Sequence, residues 1–485
     1  MSERLATDVL VIGSGPGGAT TAALLAERGF EVILVEEGRH ISLDETAPFT
    51  LAEMREKYRN GGITATFGKT NVTMIEGRCV GGGSEVNAAL YHRPKAELLE
   101  KWARDQRIER FGSEELEPYF EDVERELSVS RRPEGVGPAS KLIERGAGEM
   151  GWSAGEVTRF WKYEEGESST GGRRQSMTET MIPRFLEAGG ELLSEVRLER
   201  IAIRGGVAKK AVGRRLDSGR SISIEFNNVF VCCGAIQTPL LLRRSGVSGV
   251  GDTLQLHPMV RFAARFGDEV NDPAYGVPVV QVDEFKPLMT LGGSYSSLPH
   301  VALWLGPSVP HRRAKLEDWK RMAVFYVAVV SNGHGSIRRV PVVGEPLVRF
   351  PVLDEDMRNL GLGVKRLGEA LFAAGAEELY DPNSGEPISS ASELERFAEG
   401  LPREGAAVST IHLFSSCPMG EIESAPVDSW GRLKGHENLY VNDGSLLPTS
   451  PGVNPQGTIM AVVRRNVERF ISLREIDKRR GITPE

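Results

Sequence analysis

The chain has 485 residues, of which 40% are hydrophobic and 26% charged, with a formal net charge of −8. That length can bury a large core and suits two domains, or one domain with a substantial insertion. Acidic and basic residues are interspersed, so there is no basic stripe to grip nucleic acid. The four cysteines, Cys79, Cys232, Cys233 and Cys417, include no C-x-x-C pair, which argues against a zinc or disulfide framework and suits a reducing compartment.

A first strand is reached by residue 9, which leaves no room for a cleavable signal peptide. Apolar runs such as Met322 to Val330 fall far short of the roughly 18 residues that span a bilayer. A cytoplasmic protein with no membrane span and no metal site is expected.

In chain order, the first informative stretch is Thr7 to Gly38. Val9 to Ile12 form a β-branched run, Gly13, Gly15 and Gly18 follow in G-x-G-x-x-G spacing, Ala19 to Arg28 are rich in helix formers, and Val32 to Val35 end in Glu36. Each part suits a dinucleotide. Gly13 permits a tight turn, Gly15 lets backbone approach a pyrophosphate, and Gly18 lets helix and strand pack closely, so that the helix N-terminus faces the phosphates. Glu36 is placed to accept hydrogen bonds from ribose hydroxyls, and an acid there argues against NADP. FAD and NAD both remain open on this stretch alone.

Residues 39 to 75 have weak periodicity and are expected to run over the surface or over a cofactor. Gly77 to Glu100 then bring a second glycine loop, Gly81 to Gly83, with Ser84 leading into a helical run. Its N–H groups can converge on a phosphate or a flavin edge. Residues 100 to 190 alternate charged helices with polar loops. From Glu191 strands return, and Val229 to Cys232 is apolar throughout, as expected in the middle of a parallel sheet. Residues 258 to 350 alternate with period two, which predicts an antiparallel sheet of a second domain; Tyr295, Trp304, Phe325 and Tyr326 there are possible substrate contacts. A helix is predicted over Asp354 to Ala376. The chain then returns to a short buried strand, Leu439 to Val441, with Asp443 past its carboxyl end, and to a last helix opened by Asn454 and Pro455.

Four blocks together resemble the glucose–methanol–choline family of FAD-dependent oxidoreductases: the N-terminal nucleotide fold, GRCVGGGSEVNAALYHRP, GAIQTPLLLRRSG, and the paired blocks around His412 and Asn454. The resemblance implies an α/β Rossmann-like FAD-binding domain of the glutathione-reductase type, discontinuous over 1–100, 190–257 and 410–485. An α+β substrate or cap domain would then take 101–189 and 258–409. It implies oxidation of a CH–OH group of an alcohol, sugar or cyclic alcohol, with His412 taking the hydroxyl proton and a hydride passing to flavin N5; Asn454 would hold the second catalytic position. The electron acceptor would be oxygen, a quinone or another carrier. FAD contacts are implied at Gly82, Gly83, Ser84, Asn87, Leu198, Asp443, Asn454, Pro455 and Gln456, beside Gly13, Gly15, Gly18 and Glu36. Some relatives link FAD through a His in the second glycine block; Ser84 to Asn87 contain none, so non-covalent binding is expected.

Other readings stand beside these. His412 could be a hydrogen-bonded core histidine and Asn454 only a helix cap. His92 and His257 read more readily as packed polar residues, and Cys232 and Cys233 as fillers of small spaces. A lyase of the same family that keeps FAD without net redox chemistry, or a flavoprotein without turnover, are the alternatives to an alcohol oxidoreductase.

Overall fold

The structure, a computed structural model, describes residues 3–305, 312–340 and 345–479. The strand Glu3–Ile12 lies in the middle of a sheet, paired in parallel with Val32–Val35 on one side and with Ser221–Val231 on the other. Val9, Leu10 and Val11 are fully buried, because helices cover both faces of a sheet built by parallel crossovers. Glu191–Leu193 extends the sheet beyond Val32–Val35.

The strand Ser221–Val231 is shared between two neighbours along one edge. Its first half pairs antiparallel with Val207–Arg215, which continues to Val196–Arg204. Val229 to Val231 instead pair in parallel with Leu439–Val441, more than 200 residues later in the chain. The first helix, Pro16–Glu27, and the last, Gln456–Arg479, pack together over one face, where Leu25, Val463 and Val467 join the cluster of Val9 and Val11.

A second sheet carries the antiparallel strands read from the period-two pattern. Met259–Phe266 pairs with Met322–Val329, that strand with Met289–Ser294, and Val280–Val282 lies beyond. Alternation sorts the side chains. Val260, Phe262, Phe325 and Val327 point into a core closed by the helices Pro138–Glu149 and Asp354–Ala373. Met259, Arg261, Tyr326 and Ala328 point the other way, into a cavity. Phe325 therefore belongs to the core and is not a substrate contact.

Four expected boundaries move. Thr64–Ala65 and Val72–Met74 belong to the second sheet, the latter paired with Val408–Thr410. Residues 101–127 pack on the last helix, and Trp102, Phe111, Leu116 and Phe120 share a core with Leu10, Val229 and Val441 of the first sheet. Met177, Met181 and Phe185 likewise pack with Val9 and Val11. The helix expected to reach Ala376 ends at Ala373, and Ala376–Tyr380 is a strand of the second sheet, between Met259–Phe266 and Pro387–Ile388. Among the described residues no helix is long and apolar enough to cross a membrane, and no cluster could hold a metal ion.

Candidate active site

The carboxyl ends of the parallel strands gather the first set of site residues, where open α/β sheets bind ligands. Gly13 ends its strand at φ +98°, and a Cβ there would meet the Cys232 carbonyl oxygen at 2.4 Å, so only glycine fits the turn. Gly15 caps the following helix, Pro16 opens it, and no acidic residue sits in its first turn. That end therefore presents N–H groups and positive dipole with no competing carboxylate.

Glu36 is buried at the tip of the next strand. Its Oε2 accepts from the Ser14 backbone N–H at 3.1 Å and the Ser14 hydroxyl at 2.7 Å, and its Oε1 from the Gly38 N–H at 2.9 Å. Burial raises its pKa against these three bonds. Ser14 Oγ in turn accepts from the Gly81 N–H at 3.2 Å, which joins the two glycine loops. They meet so closely that a Cβ on Gly82 would lie 2.8 Å from the Gly15 Cα, whereas one on Gly83 would meet nothing within 4 Å. On the opposite wall, Asp443 accepts from the Gly234 N–H at 2.8 Å, the Ser445 N–H at 2.7 Å and the Thr238 hydroxyl.

Gly13, Gly15, Glu36, Gly82, Gly83, Asn87, Leu198, Asp443, Asn454, Pro455 and Gln456 all line this one elongated cavity. Two expected cofactor residues do not. Gly18 serves the helix–strand contact behind it, where a Cβ would lie 1.7 Å from the Gly13 carbonyl oxygen. Ser84 donates to the Gly81 carbonyl at 2.8 Å and accepts from the Met177 N–H at 3.0 Å, so its hydroxyl shapes the loop from behind. Cys232 and Cys233 stand in the wall with thiol pKa values pushed up by burial, which suits filling rather than reaction. The donors and acceptors thus line one trough, with the acids Glu36 and Asp443 and the N-termini of the helices Pro16–Glu27, Gly234–Arg244 and Gln456–Arg479 along it, a fit for a dinucleotide such as FAD.

A second cavity, under the antiparallel sheet, shares Asn87, Ile411, His412 and Asn454 with the first. His412 follows the strand Val408–Thr410 and so stands where the chain passes from the second sheet back to the first. Asn454 Nδ2 donates to His412 Nε2 at 3.2 Å, and the Nδ1 atoms of His412 and His257 lie 2.9 Å apart. His257 Nε2 bonds the Ser450 hydroxyl. One proton assignment satisfies the chain. His412 carries its proton on Nδ1 and donates it to His257, whose Nε2–H donates to Ser450, and His412 Nε2 keeps a lone pair. Burial, with the Arg261 charge behind it, lowers the His412 pKa to about 4; burial and then His412 hold His257 well below its usual value.

The Asn454 side chain is thus directed at His412 and not spent as a helix cap. His257, expected to be structural, is the direct partner of His412. His92 also lines the second cavity: its Nε2 bonds Gln281 Oε1 at 3.1 Å, its Nδ1 has no hydrogen-bond partner among the described residues, and burial lowers its pKa to about 3. Tyr295, Trp304 and Tyr326 line the same space.

Family models described as GMC oxidoreductase match residues 54–259 and 339–462, and one described as an NAD(P)-binding Rossmann-like domain matches residues 11–48. An uncharacterized GMC-type oxidoreductase of Sinorhizobium fredii is 37% identical over 97% of this chain and 95% of its own. The chain belongs to the GMC oxidoreductase family. A long-chain-alcohol oxidase of Arabidopsis thaliana is 27% identical over 95% of this GMC oxidoreductase and 68% of its own length. The crystal structure of a pyridoxine 4-oxidase, 18% identical, has the same fold, with a TM-score of 0.73 over 96% of this chain and 99% of that one. The expected family and fold class therefore hold, and with them FAD as the cofactor.

Glu36→Gln is expected to weaken FAD binding by about 10- to 100-fold, because an amide nitrogen would face the Ser14 or Gly38 N–H groups and the ribose would lose a charged acceptor. Fluorescence titration of the cofactor-free protein with FAD measures this; unchanged affinity would remove Glu36 from the site.

Proposed function

We propose that this GMC oxidoreductase oxidises a CH–OH group to the carbonyl, with substrate in the second cavity and FAD in the first. What carries the reading is His412: an imidazole at the junction of the two cavities whose unprotonated Nε2 accepts from the Asn454 carboxamide. Bound FAD supplies the hydride acceptor.

The protein's share is orientation and the proton. Glu36, Asp443 and the glycine loops would hold FAD along the trough. The substrate hydroxyl would displace the Asn454 N–H from His412 Nε2, which would take the hydroxyl proton, and the freed Asn454 Nδ2 would hold the substrate oxygen as negative charge develops on it. His257 accepts from Nδ1–H and so fixes both the tautomer and the ring plane of His412. The start of the helix Gln456–Arg479 places its dipole beside Asn454, where negative charge is favoured. The activities after which two similar proteins are named, long-chain-alcohol oxidase and pyridoxine 4-oxidase, agree with an alcohol donor.

Anaerobic addition of a broad library of alcohols and sugars to the FAD-loaded protein tests the reading. Bleaching of the flavin with formation of a carbonyl product is expected from at least one class. A compound that is converted while the flavin stays oxidised would instead point to lyase chemistry.

The low pKa of His412 sets the pH profile. The base works only when neutral, so kcat/KM should hold as pH falls from 8 through 6 and decline with a midpoint near pH 4 rather than near 6.5. An acid limb at 6.5 or above would show that His412 is not the titrating base.

A further inference from the structure

The second cavity carries uncompensated charge of one sign. Arg261 projects into it from Met259–Phe266, opposite Tyr326 on the neighbouring strand. Its Nη1 donates to the Ser409 hydroxyl at 2.7 Å, and its guanidinium carbon lies 5.5 Å from the centre of the Trp304 ring. Both partners are neutral.

No Asp or Glu lines the cavity, and among the described residues no carboxylate pairs with Arg261. Lys286, the other cation in the wall, is already paired with Asp283. Four residues along the same strand, Arg265 shows the usual solution, with Glu377 at 2.8 Å and Glu378 at 3.6 Å. An enclosed cation without a counter-charge is costly, on the order of several kcal/mol. Burial brings its pKa down to about 10, which leaves it charged at neutral pH. The remaining N–H groups of a guanidinium form a planar fork that matches a carboxylate.

We infer that Arg261 anchors a carboxylate of the substrate, and that the compounds oxidised are hydroxy acids, with the CH–OH end at His412 and the acid end at Arg261. This rests on the CH–OH oxidation proposed above. One free positive charge fits a monoanion. A phosphate monoester, with a charge of about −1.5 to −2, would bring negative charge that nothing in the wall meets. Apolar side chains line the same cavity, Met259, Ala328 and Val330 among them, which suits a hydrocarbon spacer.

The test uses the FAD-loaded protein and matched probes. In binding by calorimetry, alkanoates of six to twelve carbons are compared with the corresponding alkanamides, which have the same shape without the charge. The acid is expected to bind at least about tenfold more tightly, and Arg261→Gln to bring the ratio near one, with Arg261→Lys between. Equal binding of acid and amide by the unaltered protein overturns the inference, whether or not the variants fold. In anaerobic flavin reduction, ω-hydroxyalkanoates are compared with ω-hydroxyalkanamides, and the acids are expected to react at least about tenfold faster in kcat/KM. Neutral alcohols that reduce the flavin as fast would overturn the carboxylate anchor and leave alcohol oxidation standing. If no CH–OH compound reduces the flavin, alcohol oxidation fails, and the acid-against-amide binding ratio still decides the role of Arg261.

Discussion

Replacing His412 with Ala is expected to lower kcat/KM for flavin reduction by about 10²- to 10⁴-fold, the range of a lost general base, while FAD remains bound. The two effects separate because His412 is shared with the second cavity, whereas the hydrogen bonds that set Glu36, Asp443 and the glycine loops involve no atom of His412. His257 Nδ1 would lose the His412 N–H that it accepts from, while its Nε2–H keeps Ser450, so the fold should tolerate the change. Stopped-flow reduction under nitrogen, with the flavin spectrum as a record of occupancy, gives both readouts. Turnover that survives the substitution would move the base elsewhere; His92, with its unpartnered Nδ1, is the next candidate.

Gly18→Ala should cause the largest loss of stability. Its Cβ would stand 1.7 Å from the Gly13 carbonyl oxygen and 3.1 Å from the Cys232 Cβ, so the helix Pro16–Glu27 has backbone on one side and packed core on the other. Relief requires the helix to leave the sheet, and Ala19, Ala22, Ala23 and Leu25 are fully buried on it. A loss of at least about 4 kcal/mol is expected, a large share of the roughly 5–15 kcal/mol that holds a domain folded. The variant should purify without FAD or not in soluble form, and its denaturation midpoint would show the loss. A soluble variant with full FAD content and an unchanged midpoint would mean that helix and strand are not packed as described.

What could be read from the sequence was local. The turn at Gly13, the acid at Glu36 and the helix between them follow from conformational limits acting over some thirty residues, and the structure places them as expected. Alternation along 258–350 foretold the second sheet, and the same rule, applied residue by residue, would have sent Phe325 to the core and Arg261 to the opposite face. Partners distant in sequence were not readable. The amphipathic helix Ser113–Glu126 declares a buried stripe but not that the last helix covers it. Val72–Met74 finds its parallel neighbour, Val408–Thr410, more than 300 residues away. His257 meets His412 across 155 residues. Nothing in one dimension distinguishes Arg261, without a carboxylate, from Arg265, which has two.

The strand Leu439–Val441 has one more implication, for the order of events during synthesis. Until a ribosome has made it, the edge of Val229–Val231 is bare, and so is the face later roofed by the last helix. An unpaired apolar edge is a template for the wrong neighbour. The nascent chain must therefore hold its half-built nucleotide domain open through the making of some two hundred further residues. Chaperone demand should rise over that interval, and chains halted before residue 438 are expected to aggregate rather than wait.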